Sequence, residues 1–240
     1  MTQAAPRRAR SAGAKQQRQR AILDAARSLG TKRSVREVTL TDIATEVGMH
    51  KSAMLRYFET REQIFLALTA EGWQDWSAAL RSRLSDLSDP GPESVAAVIT
   101  ESLVARPFFC DLLAQAPLNL ERNVSLDAAY AFKKIALGEV ASVTGMLQEL
   151  LGINERQATD AISTATSMAG ALWQMAAPGT RLRSLYEAHP ELTHALVDVE
   201  PQLTRIVTAL LRGMCAPTPA TRPSVPPRGG PVLPESIRGL

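Results

Sequence analysis

Residues 39–65, TLTDIATEVGMHKSAMLRYFETREQIF, place two short apolar-patterned segments on either side of one glycine and follow them with a longer helical pattern. Thr39 and Asp42 form an N-terminal capping pattern, and the apolar residues after them recur at the spacing of one helix face. Gly48 then ends this helix, because glycine accepts the left-handed conformation that closes a helix. The chain therefore turns within about three residues into a second short helix.

The second short helix is predicted near residues 50–56 and has little room to bury apolar surface. Its polar residues are free to face outward; they are His50, Lys51, Ser52 and Arg56. A helix this short is marginal alone, so the flanking helices must hold it in place. A polar helix start on a rigid support suits the reading of a DNA major groove, which is about 12 Å wide. The alternative is a plain corner between two helices in a protein that does not bind DNA.

Positive charge is concentrated at the N-terminal end, although the whole chain carries a formal net charge of only +3. Residues 1–36 contain ten Lys and Arg and a single acid, Asp24, whereas residues 37–240 contain 17 basic and 23 acidic residues. Such a basic block attracts a polyanion, because each neutralised phosphate releases condensed counterions. A solvated basic tail without a partner is the alternative.

The chain is predicted to be all-α, because helical periodicity recurs along its length and strand alternation is almost absent. Residues 1–14 lack periodicity and are predicted to form a disordered basic arm, and residues 216–240, with seven prolines, a disordered Pro-rich tail. Between these segments we predict a helix-turn-helix DNA-binding domain at 15–68 and a helical ligand-binding and dimerisation domain at 69–215. The first helix is predicted to stop at Gly30.

The segments AILDAARSL and TLTDIATEVGMHKSAMLRYFETREQIFLAL, between residue 20 and about residue 68, resemble the N-terminal domain of the TetR (tetracycline-repressor-like) family of bacterial transcription regulators. The matching residues fall at fixed offsets in one ungapped block; they are Thr39, Ile43-Ala44, Val47-Gly48, Tyr57-Phe58 and Arg61-Glu62. The chain departs from the family at Leu55, where a Tyr that contacts phosphate is usual, and after the first helix, where LGTKRSVREV replaces Phe-x-x-x-Gly. The resemblance implies a three-helix DNA-binding domain joined by a long helix to a C-terminal helical domain.

Carried over position by position, the resemblance assigns the DNA contacts to the two short helices and to the start of the long one. Thr41 would approach the backbone or a base, Lys51 guanine O6/N7, and the Ala53 methyl group a thymine. Phosphate contacts fall to Arg56, Tyr57 and Arg61. Basic residues within 7–20 would add minor-groove or backbone contacts. The complete predicted set is Thr39, Thr41, His50, Lys51, Ser52, Ala53, Arg56, Tyr57 and Arg61.

Two segments of the C-terminal half are predicted to form a dimer interface. Residues 161–177 carry no charge, so this helix has no face obviously intended for water, and the last helix carries a continuous apolar stripe. Together they would form half of a four-helix interface, which is where TetR-like proteins pair; packing within one chain is the alternative. The predicted interface residues are Ala161, Ala165, Met168, Leu172, Leu203, Ile206, Val207, Leu210 and Met214. A twofold axis would present two recognition helices to a palindromic operator with half-sites about one helical turn apart.

A pocket for a hydrophobic effector is predicted among large apolar side chains of the C-terminal half. The candidate residues are Trp76, Phe108, Phe109, Leu112, Tyr130, Met168 and Trp173. The alternative for each of them is an ordinary place in the core. Cys110 is predicted to be a buried structural thiol, because nothing nearby in the sequence argues for a lowered pKa.

The sequence carries no recognisable catalytic, metal or cofactor motif. Its Glu-x-x-His pair, Glu191 and His194, lacks the second copy and the further glutamates of a di-iron bundle, and P-loop, GxGxxG and GxSxG motifs are absent. The absence of paired cysteines, of an apolar leader and of a long apolar span predicts a cytoplasmic protein. We therefore expect a dimeric transcriptional repressor, not an enzyme, that needs no cofactor and is released from its operator by a small hydrophobic effector. The alternative is an all-α sensor or scaffold that uses the helix-turn-helix for protein contacts.

Overall fold

The computed structural model describes residues 6–176 and 179–216, and all regular elements within these ranges are helical. The elements are α1 (Pro6–Lys32), a 3₁₀ turn (Val35–Glu37), α2 (Leu40–Val47), α3 (Lys51–Met54), α4 (Arg61–Ser85), α5 (Pro92–Val104), α6 (Pro107–Gln115), a π turn (Ala116–Leu120), a 3₁₀ turn (Glu121–Asn123), α7 (Leu126–Leu151), α8 (Glu155–Ala176), α9 (Arg181–Ala188), a 3₁₀ turn (Pro190–Ala195) and α10 (Val199–Cys215). The predicted all-α class is confirmed. The first five residues of the predicted arm, and the predicted Pro-rich tail from residue 217, lie outside the described residues.

Helix α1 is longer than the sequence predicts. It begins at Pro6, so residues 6–14 are helical, and the prediction of a disordered arm is wrong for them. Proline is favoured in a first helical turn, and the Ala and Arg residues that follow are good helix formers. The helix also continues through Gly30 to Lys32 instead of stopping at the glycine. Gly30 is buried there, and a β-carbon at this position would lie 2.6 Å from the Phe108 ring.

Helices α1, α2 and α3 form the N-terminal unit around a small apolar core. Ile22 on α1, Ile43 on α2 and Met54 on α3 have no exposed surface, and Phe58 beyond α3 is 8% exposed. The unit continues directly into α4, a helix of 25 residues that runs into the rest of the chain. The predicted layout, a three-helix unit joined by a long helix to a helical body, is therefore confirmed.

The C-terminal body is a bundle of long helices. Helix α4 packs against α7, α5 against α10 and α6 against α8, while α8 also contacts α7 and α10. Trp76 is fully buried on α4, and its indole Nε1 donates a hydrogen bond to Ser102 Oγ at 2.9 Å. The Trp76 ring lies 5.5 Å from the Trp73 ring and 6.1 Å from the Phe109 ring, centroid to centroid. In the parts of the chain that the structure describes, no helix is both long and apolar enough to span a membrane.

The apolar stripe of α10 faces the core of its own protomer. Leu203 and Val207 have no exposed surface, and Ala161, Ala165 and Leu172 on α8 are at most 1% exposed. Their prediction as dimer-interface residues is wrong, because α10 packs on α5 and α8 within one chain and leaves these side chains no access to a second copy. The remaining predicted interface residues are half-buried; they are Met168, Ile206, Leu210 and Met214.

Candidate nucleic-acid interface

The start of α2 is fixed by a reciprocal pair of hydrogen bonds between Thr39 and Asp42. The Asp42 backbone N–H donates to Thr39 Oγ1 at 3.1 Å, and the Thr39 backbone N–H donates to Asp42 Oδ2 at 2.8 Å. The hydrogen bond from the Thr39 backbone is the main reason why the pKa of Asp42 is lowered; the Thr39 hydroxyl and the charge of Arg33 lower it further. The capping pattern predicted from the sequence is confirmed.

The turn after α2 depends on the backbone conformation of Gly48. Its φ of 67° lies in the left-handed region, and its N–H donates to the carbonyls of Ala44 and Thr45. A β-carbon on Gly48 would meet nothing within 4 Å, so the backbone angle alone favours glycine at this position. The turn predicted at Gly48 is confirmed, and it leads into α3 three residues later.

Helix α3 is a single short turn that is capped by a histidine and anchored from below. His50 precedes it in an extended conformation, and its Nδ1 accepts from the Ser52 backbone N–H and lies 2.8 Å from Ser52 Oγ. Met54 is fully buried and fixes the helix to the core, while Lys51 and Ser52 stay exposed. Caps and one buried anchor therefore hold a helix that is too short to form alone.

The structure keeps most of the predicted DNA contacts accessible. The exposed ones are Thr39, Thr41, His50, Lys51, Ser52 and Arg56, and the half-buried ones are Ala53 and Tyr57. They all belong to the start of α2, to α3 and to the turn after it, so one small core holds them together. Leu55, where the family usually has Tyr, is 48% exposed and offers no hydrogen bond. We call these eight predicted contacts the α2–α3 surface.

Arg61 is turned away from this surface, contrary to its predicted phosphate contact. Its Nε donates to the Val38 carbonyl and its Nη2 to the Val35 carbonyl, while Nη1 pairs with Glu62 at 2.9 Å. The side chain is 13% exposed and lies over the Phe65 ring at 4.7 Å. The prediction is wrong for Arg61, because the two carbonyls between α1 and α2 already hold its guanidinium.

The basic residues of the N-terminal end lie on a helix instead of a flexible arm. Lys15, Arg18 and Arg20 are exposed on α1. Arg27, in contrast, contacts Asp24 and Glu71, the latter on α4. Exposed basic side chains of α1 therefore lie along residues 15–20 and at its last residue, Lys32.

One buried residue that shapes this region was missed in the sequence. Asp111 on α6 is 5% exposed, and its Oδ2 accepts a hydrogen bond at 2.7 Å from the backbone N–H of Val35, between α1 and α2. The available signal was a lone acid within the apolar run PFFCDLLA. A buried carboxylate needs hydrogen-bond donors, so such a residue predicts a specific contact, although not its partner.

The predicted pocket residues fall into three environments. The buried ones are Trp76, Phe109 and Leu112, and the half-buried ones are Phe108, Met168 and Trp173. Tyr130 is 67% exposed on α7 and lies apart from the buried candidates. Cys110 is buried, as predicted for a structural thiol, and burial raises its pKa to about 12, with Asp111 adding to the effect. Such a thiol is unreactive near neutral pH.

Several solved structures share the fold of this chain. Thermus thermophilus FadR, a TetR-family repressor in complex with lauroyl-CoA, is 20% identical with a TM-score of 0.55, and the match covers 85% of this chain and 99% of that chain. Bacillus subtilis FadR in complex with stearoyl-CoA is 19% identical with a TM-score of 0.52, over 80% and 96% of the two chains. RolR in complex with resorcinol is 19% identical with a TM-score of 0.52, over 85% and 90%. At these identities the likeness establishes the fold alone.

Two family profiles match the sequence itself. Residues 22–68 match "Bacterial regulatory proteins, tetR family", and residues 70–218 match "Tetracyclin repressor-like, C-terminal domain". No protein of curated function matches the chain in sequence. The two profiles meet where α4 leaves the N-terminal unit, so they follow the division seen in the fold. The chain belongs to the TetR family of bacterial DNA-binding transcription regulators.

Proposed function

We propose that this regulator is a cytoplasmic, dimeric repressor that binds a palindromic operator and leaves it when a small hydrophobic effector binds. The observation that carries the proposal is the exposed polar start of α3, with Lys51 and Ser52 above the buried Met54. Because α3 is already ordered by its cap and its anchor, its backbone loses little freedom on entering a major groove. This favours specific reading of bases over loose contact with the DNA backbone.

Within the α2–α3 surface, base reading is assigned to Lys51 and Ala53. The Lys51 ammonium suits guanine O6/N7, and the Ala53 methyl group suits the methyl group of thymine. Arg56 and Tyr57, just beyond, are assigned to phosphates, and these contacts fix the position of the protein along the duplex. Arg61 is left out, because its guanidinium is occupied within the protein. Leu55 supplies no phosphate contact.

The outer face of α10 is the better candidate for the dimer interface, since its apolar stripe is buried. A shallow groove runs along it, lined by Glu200, Pro201, Thr204, Arg205, Thr208, Ala209 and Arg212. In an antiparallel pair about a twofold axis near residue 206, Glu200 lies opposite the partner's Arg212, and Thr204 opposite the partner's Thr208. Opposite charges then meet at both ends, where Arg212 also pairs with Glu93 of its own chain. The short Thr204 and Thr208 side chains lie on either side of the axis, and Arg205 lies next to it.

Helix α8 contributes small residues to the same interface. Ser163, Ser167 and Ala171 are exposed at intervals of four residues, so they form one ridge along the helix. Short side chains on a ridge allow a second helix to pack at short distance. Together with α10, this ridge would give the four-helix arrangement expected from the sequence, but built from outer faces instead of apolar stripes.

The arrangement of the dimer is tested by placing a large charge in the α10 groove. Thr208→Arg is expected to shift sedimentation equilibrium from dimer toward monomer, because a guanidinium group would then oppose the partner's Thr204 on each side of the axis and add to the positive charge of Arg205. Ser142→Arg, at an exposed position on α7, is the matched control and should leave the dimer unchanged. An unaltered dimer in Thr208→Arg contradicts this interface.

The proposed effector acts on the C-terminal body. Phe108, Met168 and Trp173 are half-buried next to the apolar core, so an apolar ligand there would extend burial that already exists. The FadR structures hold acyl-CoA thioesters and RolR holds resorcinol, which makes lauroyl-CoA and resorcinol two probes of very different size. An effector that binds better to a state with altered recognition-helix spacing would weaken operator binding.

A selection from fragmented genomic DNA of the host, followed by gel shifts at several salt concentrations, tests the whole proposal. We expect one palindromic duplex to be enriched, with an affinity that falls as salt rises. Lauroyl-CoA or resorcinol is then expected to release it. If no duplex is enriched, the repressor proposal fails, and if the enriched duplex lacks twofold symmetry, the dimer arrangement fails.

A further inference from the structure

One buried carboxylate joins the N-terminal unit to two helices of the C-terminal body. Asp111 belongs to α6, and its Oδ2 accepts the hydrogen bond from the Val35 backbone N–H at 2.7 Å. Its other oxygen, Oδ1, accepts a hydrogen bond from Gln174 Nε2 on α8 at 2.8 Å. The two oxygens of one side chain therefore serve two different parts of the molecule.

The peptide that Asp111 holds is also held from its other side. While the N–H of Val35 donates to Asp111, its carbonyl accepts from Arg61 at the start of α4. Arg61 holds the Val38 carbonyl as well, and both valines are fully buried. Helix α2 begins at Leu40, shortly after this linker. The position of the linker therefore sets the position of α2, and through Gly48 that of α3.

Helix α6 packs closely against α8. At Gly170 on α8, a β-carbon would come within 2.9 Å of the Ala114 backbone nitrogen on α6. Gln174 follows one turn further along α8, on the same side, and reaches Asp111. At its C-terminal end α6 runs into the π turn Ala116–Leu120, a type of turn that interrupts a regular helix and occurs frequently at functional sites. A displacement between α6 and α8 therefore changes the Gln174–Asp111 contact.

We infer that Asp111 is a positioning residue through which α8 sets the orientation of the DNA-reading helices. With Gln174 in place, both carboxylate oxygens have donors, and the side chain stays directed at Val35. If α8 shifts, Oδ1 loses its donor, and a buried carboxylate with an empty acceptor turns toward water and releases the Val35 N–H. This inference deepens the proposed function, because it names the contact by which the C-terminal body reaches the operator-binding helices.

Four variants separate this role from a purely structural one. Asp111→Ala removes both hydrogen bonds. Gln174→Met removes only the donor on α8 and leaves Asp111 next to Val35. Asp111→Asn keeps one acceptor for Val35, and its amide can donate to a turned Gln174 side chain, so it should restore part of the wild-type behaviour. Gln148→Met on α7 is the matched control, since among the described residues the Gln148 amide donates to the Thr144 carbonyl of its own helix.

The first measurement is hydrogen exchange at the Val35 amide, together with urea unfolding of the full chain. Asp111→Ala is expected to speed this exchange on the order of tenfold or more, because a hydrogen bond to a charged group is lost. Gln174→Met, which does not touch the linker, is expected to speed it several-fold, on the order of half of that effect on a logarithmic scale. Asp111→Asn should exchange more slowly than Asp111→Ala, and Gln148→Met should match the wild type.

The second measurement is affinity for the duplex enriched in the genomic selection. Gln174→Met should weaken binding several-fold at unchanged global stability, although Gln174 lies in the C-terminal body and has no DNA contact. If Gln174→Met and Gln148→Met give the same Val35 exchange, or if exchange follows global stability alone, the inference is overturned. If the wild type binds no duplex, the proposed function fails, while Val35 exchange still decides whether Asp111 couples α8 to the linker.

Discussion

The N-terminal unit and the C-terminal body hold their shapes by different means. In the unit, α2 has eight residues and α3 four, and at each start the side chain of Thr39 or His50 accepts a hydrogen bond from a backbone N–H. In the body, α4, α7 and α8 have 25, 26 and 22 residues and enclose aromatic side chains such as Trp76. A unit that must expose a polar surface has little apolar area to bury, so caps and contacts with its neighbours replace a large core.

Removing the largest buried side chain should strongly destabilise the C-terminal body. Trp76→Ala is expected to lower the free energy of unfolding by about 3–5 kcal/mol, because it leaves a cavity and removes the hydrogen bond to Ser102. Urea unfolding followed by circular dichroism measures this effect. Leu55→Ala, at a position that is 48% exposed, is the control in the unit and should change stability by less than about 0.5 kcal/mol. If both substitutions changed the free energy of unfolding equally, the C-terminal body would not depend on its core in the way proposed.

A change on the polar surface of the unit should affect DNA recognition but not folding. Lys51→Ala removes the proposed contact with guanine, at an expected cost of about 1–3 kcal/mol in binding to the preferred duplex. Its urea midpoint should stay at the wild-type value, because Lys51 is exposed. In competition gel shifts with duplexes changed at single base pairs, the variant should lose its base preference at one position. Unchanged affinity and unchanged base preference would place the reading residue elsewhere.

The dependence of the unit on backbone conformation is tested at Gly48. Gly48→Ala is expected to destabilise the protein by about 1–2 kcal/mol, because a β-carbon is strained in the left-handed region. Gly145→Ala on α7 is the matched control, since a β-carbon meets nothing within 4 Å at either position. In the helix interior the same change should stabilise by about 0.5–1 kcal/mol. If urea unfolding showed that both substitutions change stability in the same direction, the left-handed φ of Gly48 would not be the reason for its glycine.

The smallest expected effect concerns the charge in the cap of α2. The pKa of Asp42 is lowered in the folded protein from its ordinary value of 3.8, mainly by the Thr39 backbone hydrogen bond, so its contribution to stability is full above that value. This contribution is lost as the pH falls through the lowered pKa. Asp42→Asn should be less stable than the wild type at pH 7, and the gap should close in strong acid. Urea unfolding at both pH values measures the gap, and a constant gap would contradict the assignment.

The sequence was sufficient to predict the parts of the unit that local rules determine. Thr39, Asp42 and Gly48 act within a few residues of one another, so capping and turn chemistry located them before any tertiary structure was known. The long helices followed from periodicity. Burial at the apolar stripe of α10 was also correctly implied, but the pattern did not say whether a second copy or the same chain would cover it.

The parts that sequence reasoning missed depend on long-range contacts. Arg61 has the residue type and the place of a phosphate ligand, yet the carbonyls that occupy it lie 23 and 26 residues earlier. Asp111 meets Val35 across 76 residues and Gln174 across 63, and no local spacing marks these pairs. Gly30 failed as a stop signal, because a neighbouring ring made a small residue useful inside the helix.

The length of α1 limits how the basic N-terminal end can approach DNA. A helix with its side chains is about 10–12 Å across, whereas the minor groove is about 6 Å wide. As long as residues 15–20 remain helical, Lys15, Arg18 and Arg20 cannot lie in that groove as an extended strand would. Lys15 and Arg18 lie one turn apart on the same side of the helix, whereas Arg20 projects from another side. Lys15 and Arg18 can therefore contact phosphates only from outside the groove, which strengthens attachment to any duplex and leaves the choice of sequence to α3.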